Sequence, residues 1–403
     1  MLQRLSSKKN YPILALIVAF TLCFGLIILC LPTETVALSQ DMLLSGRYGP
    51  LWLDLSGIVI VCAGDGAAQI SGFRLLALLT HVANTLLLWF ILQKIKPQRR
   101  IVGTLLYAWN PVVLLTGIAY IHSELVTLFF ILLALLFLQR ESLLSAWICI
   151  VLAALTNPFC FLLLPLFFRL IVKKTYYSQI NHYARSWLVM LATALLLLLA
   201  AYGPYWPSWG ISGLMASLET TFRPHNAFNS LDAAILTLPL QLSPFALWLI
   251  APQHWSIGVL VLVGLFLLFS LWFVNNLELT LLCSCWVSLL LLLLTPIYYP
   301  WYSILPLTLA LCTSNKHTFQ LTVLLQIAAL FSYGNELWRS SWTGLGLVVV
   351  LLPFLLWGWL LFFSTTWQMA HAASESPSRG RWSRLSQFSR PPWLSRPPRP
   401  YHY

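Results

Sequence analysis

The chain has 403 residues, of which 59% are hydrophobic and only 8% charged, with a formal net charge of +12 at pH 7 and a mean hydropathy of +0.81. A polypeptide this apolar lacks the polar residues needed to solvate a globular surface, so a water-soluble domain is excluded and a polytopic membrane protein is expected. The runs also lack the alternating polar residues of a membrane β-barrel strand, which leaves an all-α bundle.

In chain order, Arg4, Lys8 and Lys9 precede an apolar run over residues 12–31. It is longer than the apolar core of a secretory signal and reads as a retained first span. Apolar windows predict about twelve crossings, at 12–31, 70–92, 101–121, 123–138, 143–157, 159–172, 186–204, 255–274, 278–295, 300–313, 318–334 and 341–364. Several fall short of the roughly 20 residues that a ~30 Å hydrocarbon core asks for, which leaves room for a re-entrant pair. Residues 51–64, short and carrying Asp54, are expected at the surface, and the proline-containing 231–250 on the outer face.

Orientation follows from the basic residues, because basic loops stay cytoplasmic. Residues 94–100, Arg140, 169–174 with Arg185, Lys316 and both termini fall on one side of a twelve-crossing count. That puts both termini in the cytoplasm and residues 32–50, 122–124, 205–232 and 298–302 outside. The chain then divides into a basic N-terminus (1–11), a transmembrane domain (12–364) and a tail (365–403). From 374 to 403 the tail is rich in Ser and Pro and has six arginines against one acid, a composition expected to be disordered. Beside a membrane its natural partners are anionic lipid heads, at ~1 kcal/mol per basic residue, rather than nucleic acid. The eight cysteines include no Cys-x-x-Cys pair and read as small packing residues, with no metal site implied.

Within the apolar background a few residues stand out. His122, Ser123 and Glu124 form a polar box at the connection between two expected crossings, where they either cap the following helix or serve an external site. Asn110-Pro111 and Asn157-Pro158 are turn or kink signals. His81 and Asn84 share a helix face and are expected to hydrogen-bond a neighbouring helix. The cluster YYPWY at 298–302 is most simply an interfacial aromatic belt. A Gly-rich phosphate loop, a paired metal motif and a nucleophile elbow are all absent from the sequence.

Three blocks then carry a family resemblance: 47-RYGPLWLDLSGIVI-60, 74-RLLALLTHVANTLLLWFIL-92 and 103-GTLLYAWNPVVLLTGIAYIHSELVTLFFILLALLFL-138. With 155-LTNPFCFLLLPLFF-168, 228-FNSL-231 and 298-YYPWYSILPLTLAL-311 in the same order, the chain resembles bacterial polyprenyl-phosphate-mannose-dependent mannosyltransferases of the GT-C superfamily over roughly residues 10 to 330. The family's Tyr-x-Trp-Asn-Pro element and its His-Asn-Asp box fall on Tyr107 to Pro111 and on His122, Ser123 and Glu124, the box altered at two of three positions. Its Pro-Trp-Tyr element falls unchanged on Pro300, Trp301 and Tyr302.

The resemblance implies a membrane glycosyltransferase that moves a sugar, mannose by analogy, from a polyprenyl-phosphate donor to an extracytoplasmic glycan or lipid acceptor in a bacterial plasma membrane. It implies no nucleotide-sugar site, and it leaves a divalent metal and the oligomeric state open. In this family the catalytic acid lies in the first external loop, which here is only the nineteen residues 32–50, so Asp41 is the best match for the base, with Glu34 behind it. Candidate substrate contacts on the outer side are Arg47, His122, Arg223 and His225 for the leaving phosphate, together with Tyr48 and Glu124. Trp301, Tyr302, Trp206 and Trp209 are candidates for stacking on sugar faces or lining the lipid entrance. A non-catalytic relative that binds lipid-linked sugar or acts as a scaffold is the alternative, and the shortened loop is its signature. A transporter would call for ionisable residues at mid-membrane or two similar halves, and no internal repeat is found.

Overall fold

The computed structural model describes residues 11–30, 48–64, 66–178, 183–222, 230–231, 235, 243–338 and 351–363. Among these residues all regular structure is helical, with no strand. The α-helices are α1 (Tyr11–Leu29), α2 (Pro50–Ala63), α3 (Gly66–Ile95), α4 (Arg100–Ala108), α5 (Glu124–Gln139), α6 (Leu143–Thr156), α7 (Leu164–Ser178) and α8 (Tyr183–Tyr202), then α9 (Trp206–Phe222), α10 (Pro244–Ile250), α11 (Pro252–Phe273), α12 (Leu277–Leu294), α13 (Ile304–Leu311), α14 (Lys316–Trp338) and α15 (Leu351–Phe363). The chain separates into two units, residues 1–353 and 354–403. Of the second, only the end of α15 is described, and the basic N-terminus and tail lie outside the described residues.

Among the described residues five helices are long and apolar enough to cross a membrane: Tyr11–Leu29, Gly66–Ile95, Ser186–Ala216, Pro252–Phe273 and Leu277–Leu294. The bent pair Pro97–Ala108 and Val113–Ala119 makes a sixth if counted as one span. The other crossings expected from hydropathy fall mainly on shorter apolar helices. α5 and α6, of 16 and 14 residues, reach only ~24 and ~21 Å at 1.5 Å per residue. The crossing expected at 101–121 is broken at the Asn110-Pro111 step, where the two halves meet at 51°. Proline removes an N–H from the ladder, and the Asn110 side chain takes the Val112 N–H instead at 2.9 Å. The Ala108 carbonyl, left without that N–H, meets Nε2 of His81 at 3.0 Å, and Asn84 donates to the Leu125 carbonyl at 2.9 Å. Both residues of α3 thus bond neighbouring backbone, as their shared face suggested.

Two faces of the bundle can be told apart from their contacts. On one, basic side chains reach carbonyls at helix C-termini: Lys94 to Gln139 at 3.1 Å, Arg99 to Thr313 at 3.0 Å and Arg169 to Val274 at 3.3 Å. Lys96 pairs with Glu278 at 3.3 Å on the same face. These cations sit at the negative ends of helix dipoles, so the expected grouping of 94–100, 169–174 and their neighbours on one side has a local electrostatic reason. On the opposite face the Gly49 N–H bonds the Thr156 carbonyl at 3.0 Å, and the Tyr205 hydroxyl donates to Asp54 at 2.6 Å. Helix α2 lies on this face, packing Trp52 against Ile70, Phe73, Ile121 and Val126. Along α3, Arg74 and Lys94 bound an apolar stretch of twenty positions, ~30 Å, which matches the hydrocarbon thickness. The Arg74 Nε lies 3.5 Å from the Ala119 carbonyl, so the turn after residue 119 sits at the Arg74 end of that stretch.

Candidate functional site

The site begins at the break in the bent span. From Asn110 the chain runs through a π-helical turn, Val113–Ala119, to Tyr120, and then reverses at Ile121. Ile121 has φ of 60°, a left-handed conformation that a β-branched residue adopts only under strain. The reversal buries the next three residues: His122 is 3% exposed, Ser123 0% and Glu124 9%.

Each of the three carries a buried polar atom without a hydrogen-bond partner, namely His122 Nδ1, Ser123 Oγ and Glu124 Oε2. Ser123 occupies the N-cap position of α5, yet its side chain makes no capping bond. A cap would have used that oxygen, so the capping explanation fails for Ser123. Three consecutive buried polar groups without a protein partner are costly for stability and point to a ligand or water as their partner.

The opposing wall comes from the turn Pro300–Ser303, which α12 and the Thr295-Pro296 step deliver to the same face. Trp301 stacks on His122 with ring centres 3.6 Å apart and on Tyr299 at 4.3 Å. Two rings that close to one indole would overlap if they shared a face, so they cover opposite faces of Trp301. Protein rings thus take both faces of Trp301, and its edge is what remains toward the cavity. Within the cluster 298–302 Tyr298 is fully buried, whereas Tyr299, Trp301 and Tyr302 are only partly so. Tyr302 meets Phe159 edge to face at 6.0 Å.

Between these walls lies a cavity of ≈ 70 Å³ lined by Glu124, Thr127, Asn157, Cys160, Trp301 and Tyr302 among others. It has room for a few waters or one polar substituent of a larger ligand. Asn157, the second Asn-Pro signal, uses its side-chain oxygen to cap the turn Pro158–Leu163 through the Phe159 N–H at 3.1 Å. That turn presents Phe159, Cys160 and Leu163 to the cavity.

The other expected site residues divide clearly. Tyr48 packs with Trp52 in the cluster behind Ile121, at 6.1 Å between rings, and so buttresses the turn rather than lining the cavity. Trp206 lines a separate apolar groove of ≈ 720 Å³ with Phe161, Leu199 and Tyr202, and Trp209 packs on Tyr205 at 5.2 Å. Asp41, Glu34, Arg47, Arg223 and His225 lie outside the described residues. Among the described residues no three His, Cys, Asp or Glu side chains come together as a metal site. Sequence reasoning missed Arg74, which is almost wholly buried beside the His122 turn. The available signal was its isolation as the only Lys, Arg, Asp or Glu between residues 66 and 93.

Burial pushes the His122 imidazole down to about 3 from its ordinary 6.5, so the ring is neutral when it stacks on Trp301. The folded value lies below the unfolded one, so below pH 6.5 the unfolded chain binds the extra proton and stability falls as pH drops from 6.5 toward 3. Melting curves of detergent-solubilised protein across that window should therefore be less steep in His122→Gln than in the wild type. Equal slopes would show that His122 does not titrate differently on unfolding.

Comparison with known families bears on this region. Residues 45–173 match the MptA/B family, alpha-(1->6)-mannopyranosyltransferase, N-terminal domain. A search of curated proteins gives no match. The matched segment contains the 122–124 turn, the Asn157 turn and Arg74, and with the apolar helices it supports a membrane mannosyltransferase of GT-C type.

Proposed function

Starting from a chain whose residues 45–173 match that mannosyltransferase family, we propose that it transfers mannose from a polyprenyl-phosphate donor to a hydroxyl of a glycan or lipid acceptor, on the outer side of a bacterial plasma membrane. The observation that carries this reading is the run of three buried, unpartnered polar side chains beside the cavity, in the turn that meets the Arg74 end of α3. A lipid-linked donor keeps its chain in the bilayer and offers its sugar and phosphate at that depth.

In the reaction, the acceptor oxygen bonds to the anomeric carbon as the bond from that carbon to the phosphate oxygen breaks. The hydroxyl proton passes to a carboxylate, and the electron pair leaves with the polyprenyl phosphate. Asp41 is assigned as that base with Glu34 in reserve, and Glu124 holds the acceptor hydroxyl in line. Arg47, Arg223 and His225 balance the charge of the leaving phosphate. The test is transfer of label from radiolabelled polyprenyl-phosphate-mannose in membranes of an expressing strain, compared between wild type and Asp41→Asn.

The short segment 32–50 favours one second reading, a non-catalytic relative that keeps the cavity and binds lipid-linked sugar. It predicts binding without turnover in the wild type. Both readings place the termini in the cytoplasm, where the tail meets anionic lipid heads. A cysteine introduced at Pro97 should resist an impermeant maleimide in intact cells and react in opened ones, and external labelling there would reverse the topology.

A further inference from the structure

We infer that Asn110 and Gln326 form a buried amide relay whose task is to position Trp301 against His122, which makes Gln326 a positioning residue for the transfer proposed above. Gln326 lies on α14, outside the segment that matches the mannosyltransferase family, and more than two hundred residues from Asn110 in the chain.

The relay runs in one direction only. The Asn110 side-chain oxygen accepts from the Val112 N–H at 2.9 Å, which leaves its Nδ2 to donate to Gln326 Oε1 at 3.1 Å. Gln326 Nε2 then donates to the Ser303 carbonyl at 2.7 Å, and the Ser303 hydroxyl donates to the Pro300 carbonyl at 2.6 Å. One backbone N–H thus fixes the orientation of both amides, since flipping either would set donor against donor. Both side chains are buried, where an amide that loses its partner is expensive, so the chain of bonds favours a single arrangement.

Its two ends explain what it positions. At one end is the break from which the π-turn leads to His122. At the other is the turn that carries Trp301 and Tyr302 and ends at Ser303, the carbonyl that Gln326 holds. The relay therefore sets the register between the two walls of the cavity, and neither amide lines the cavity itself.

The test is a double-mutant cycle in kcat/KM for mannosyl transfer, using Gln326→Leu, Trp301→Ala and the pair. Gln326→Leu should lower transfer about tenfold in the wild type and less than about twofold in Trp301→Ala, because a residue that acts through another has nothing left to position. Equal losses in the two backgrounds would overturn the proposal. Thr322→Val on the same helix, whose hydroxyl bonds only its own helix at Phe319, is the control and should stay near wild type. A second readout needs no substrate. In the purified full chain, maleimide labelling of Tyr302→Cys, quantified at that residue by mass spectrometry, should speed up about tenfold with Gln326→Leu but not with Thr322→Val. An unchanged rate overturns the relay. If the wild type transfers no mannose, the proposed function fails, while the labelling still decides the relay. Gln326→Met serves both readouts if the leucine variant does not fold.

Discussion

Glu124→Gln should lower mannosyl transfer by ~10²-fold or more, the scale of losing one positioned acid–base or electrostatic group, while leaving the solubilised protein at least as stable as the wild type. The two halves of that expectation come from the same fact. Glu124 is buried at the cavity with one carboxyl oxygen unpartnered, so it costs the fold something to keep it there. An amide of the same shape removes the charge and relieves that cost, but it no longer orients an acceptor hydroxyl in the same way. A helix-capping role predicts the reverse: Glu124→Ala would reduce stability by about 0.5–2 kcal/mol, and the glutamine variant would transfer normally. Transfer and melting measured side by side separate the two. His122→Ala should also cost about 10²-fold in transfer, because it uncovers one face of Trp301 and loosens the cavity wall.

Gly49→Ala is the substitution with the largest expected effect on the fold. A Cβ at residue 49 would lie 1.9 Å from the Leu155 carbonyl oxygen and 2.5 Å from its carbon. These are backbone atoms at the end of α6 and cannot rotate away. The Gly49 N–H also bonds the Thr156 carbonyl, so the chain has to be close at this point. Pushing it off shifts the start of α2, pulls Trp52 from its contact with Phe73 and unseats the cluster behind Ile121. The loss should be at least the ~1–3 kcal/mol of an overpacked core, and transfer should fall with it. Gly57→Ala in the middle of α2, where nothing lies within 4 Å of the new atom, is the matched control. It should be neutral or stabilising by up to ~1 kcal/mol, as expected for alanine over glycine inside a helix. Similar melting temperatures for the two variants would mean that the close approach at Gly49 is not a constraint.

Much of the architecture could be read from local chemistry. Composition alone requires a helical membrane bundle. The two Asn-Pro steps mark the break in the bent span and the Pro158–Leu163 turn, because proline's missing N–H and asparagine's side chain act within a few residues of each other. His81 and Asn84 were legible as helix-to-helix bonds for a similar reason, since polar groups on an apolar face must find backbone partners. The polar box at 122–124 was legible as a candidate site, but not its unpartnered burial, which depends on the strained turn at Ile121 and on Trp301 arriving from α12.

Where the reading fell short, distant packing decides. A cluster such as YYPWY looks the same at a lipid interface and inside a cavity wall until its neighbours are known. Gln326 is one of several polar residues on α14, and its pairing with Asn110 spans half the chain. Span counting differs for a simpler reason: hydropathy cannot distinguish a full crossing from an apolar helix of 14 to 16 residues packed inside the bundle.

The most direct measurement of the central claim is label transfer from radiolabelled polyprenyl-phosphate-mannose to endogenous acceptor in membranes expressing the wild type, Asp41→Asn or Glu124→Gln. The account predicts transfer by the wild type and a loss of ~10²-fold or more in each variant. Membranes in which the wild type transfers no mannose, or in which both variants match it, would contradict the account.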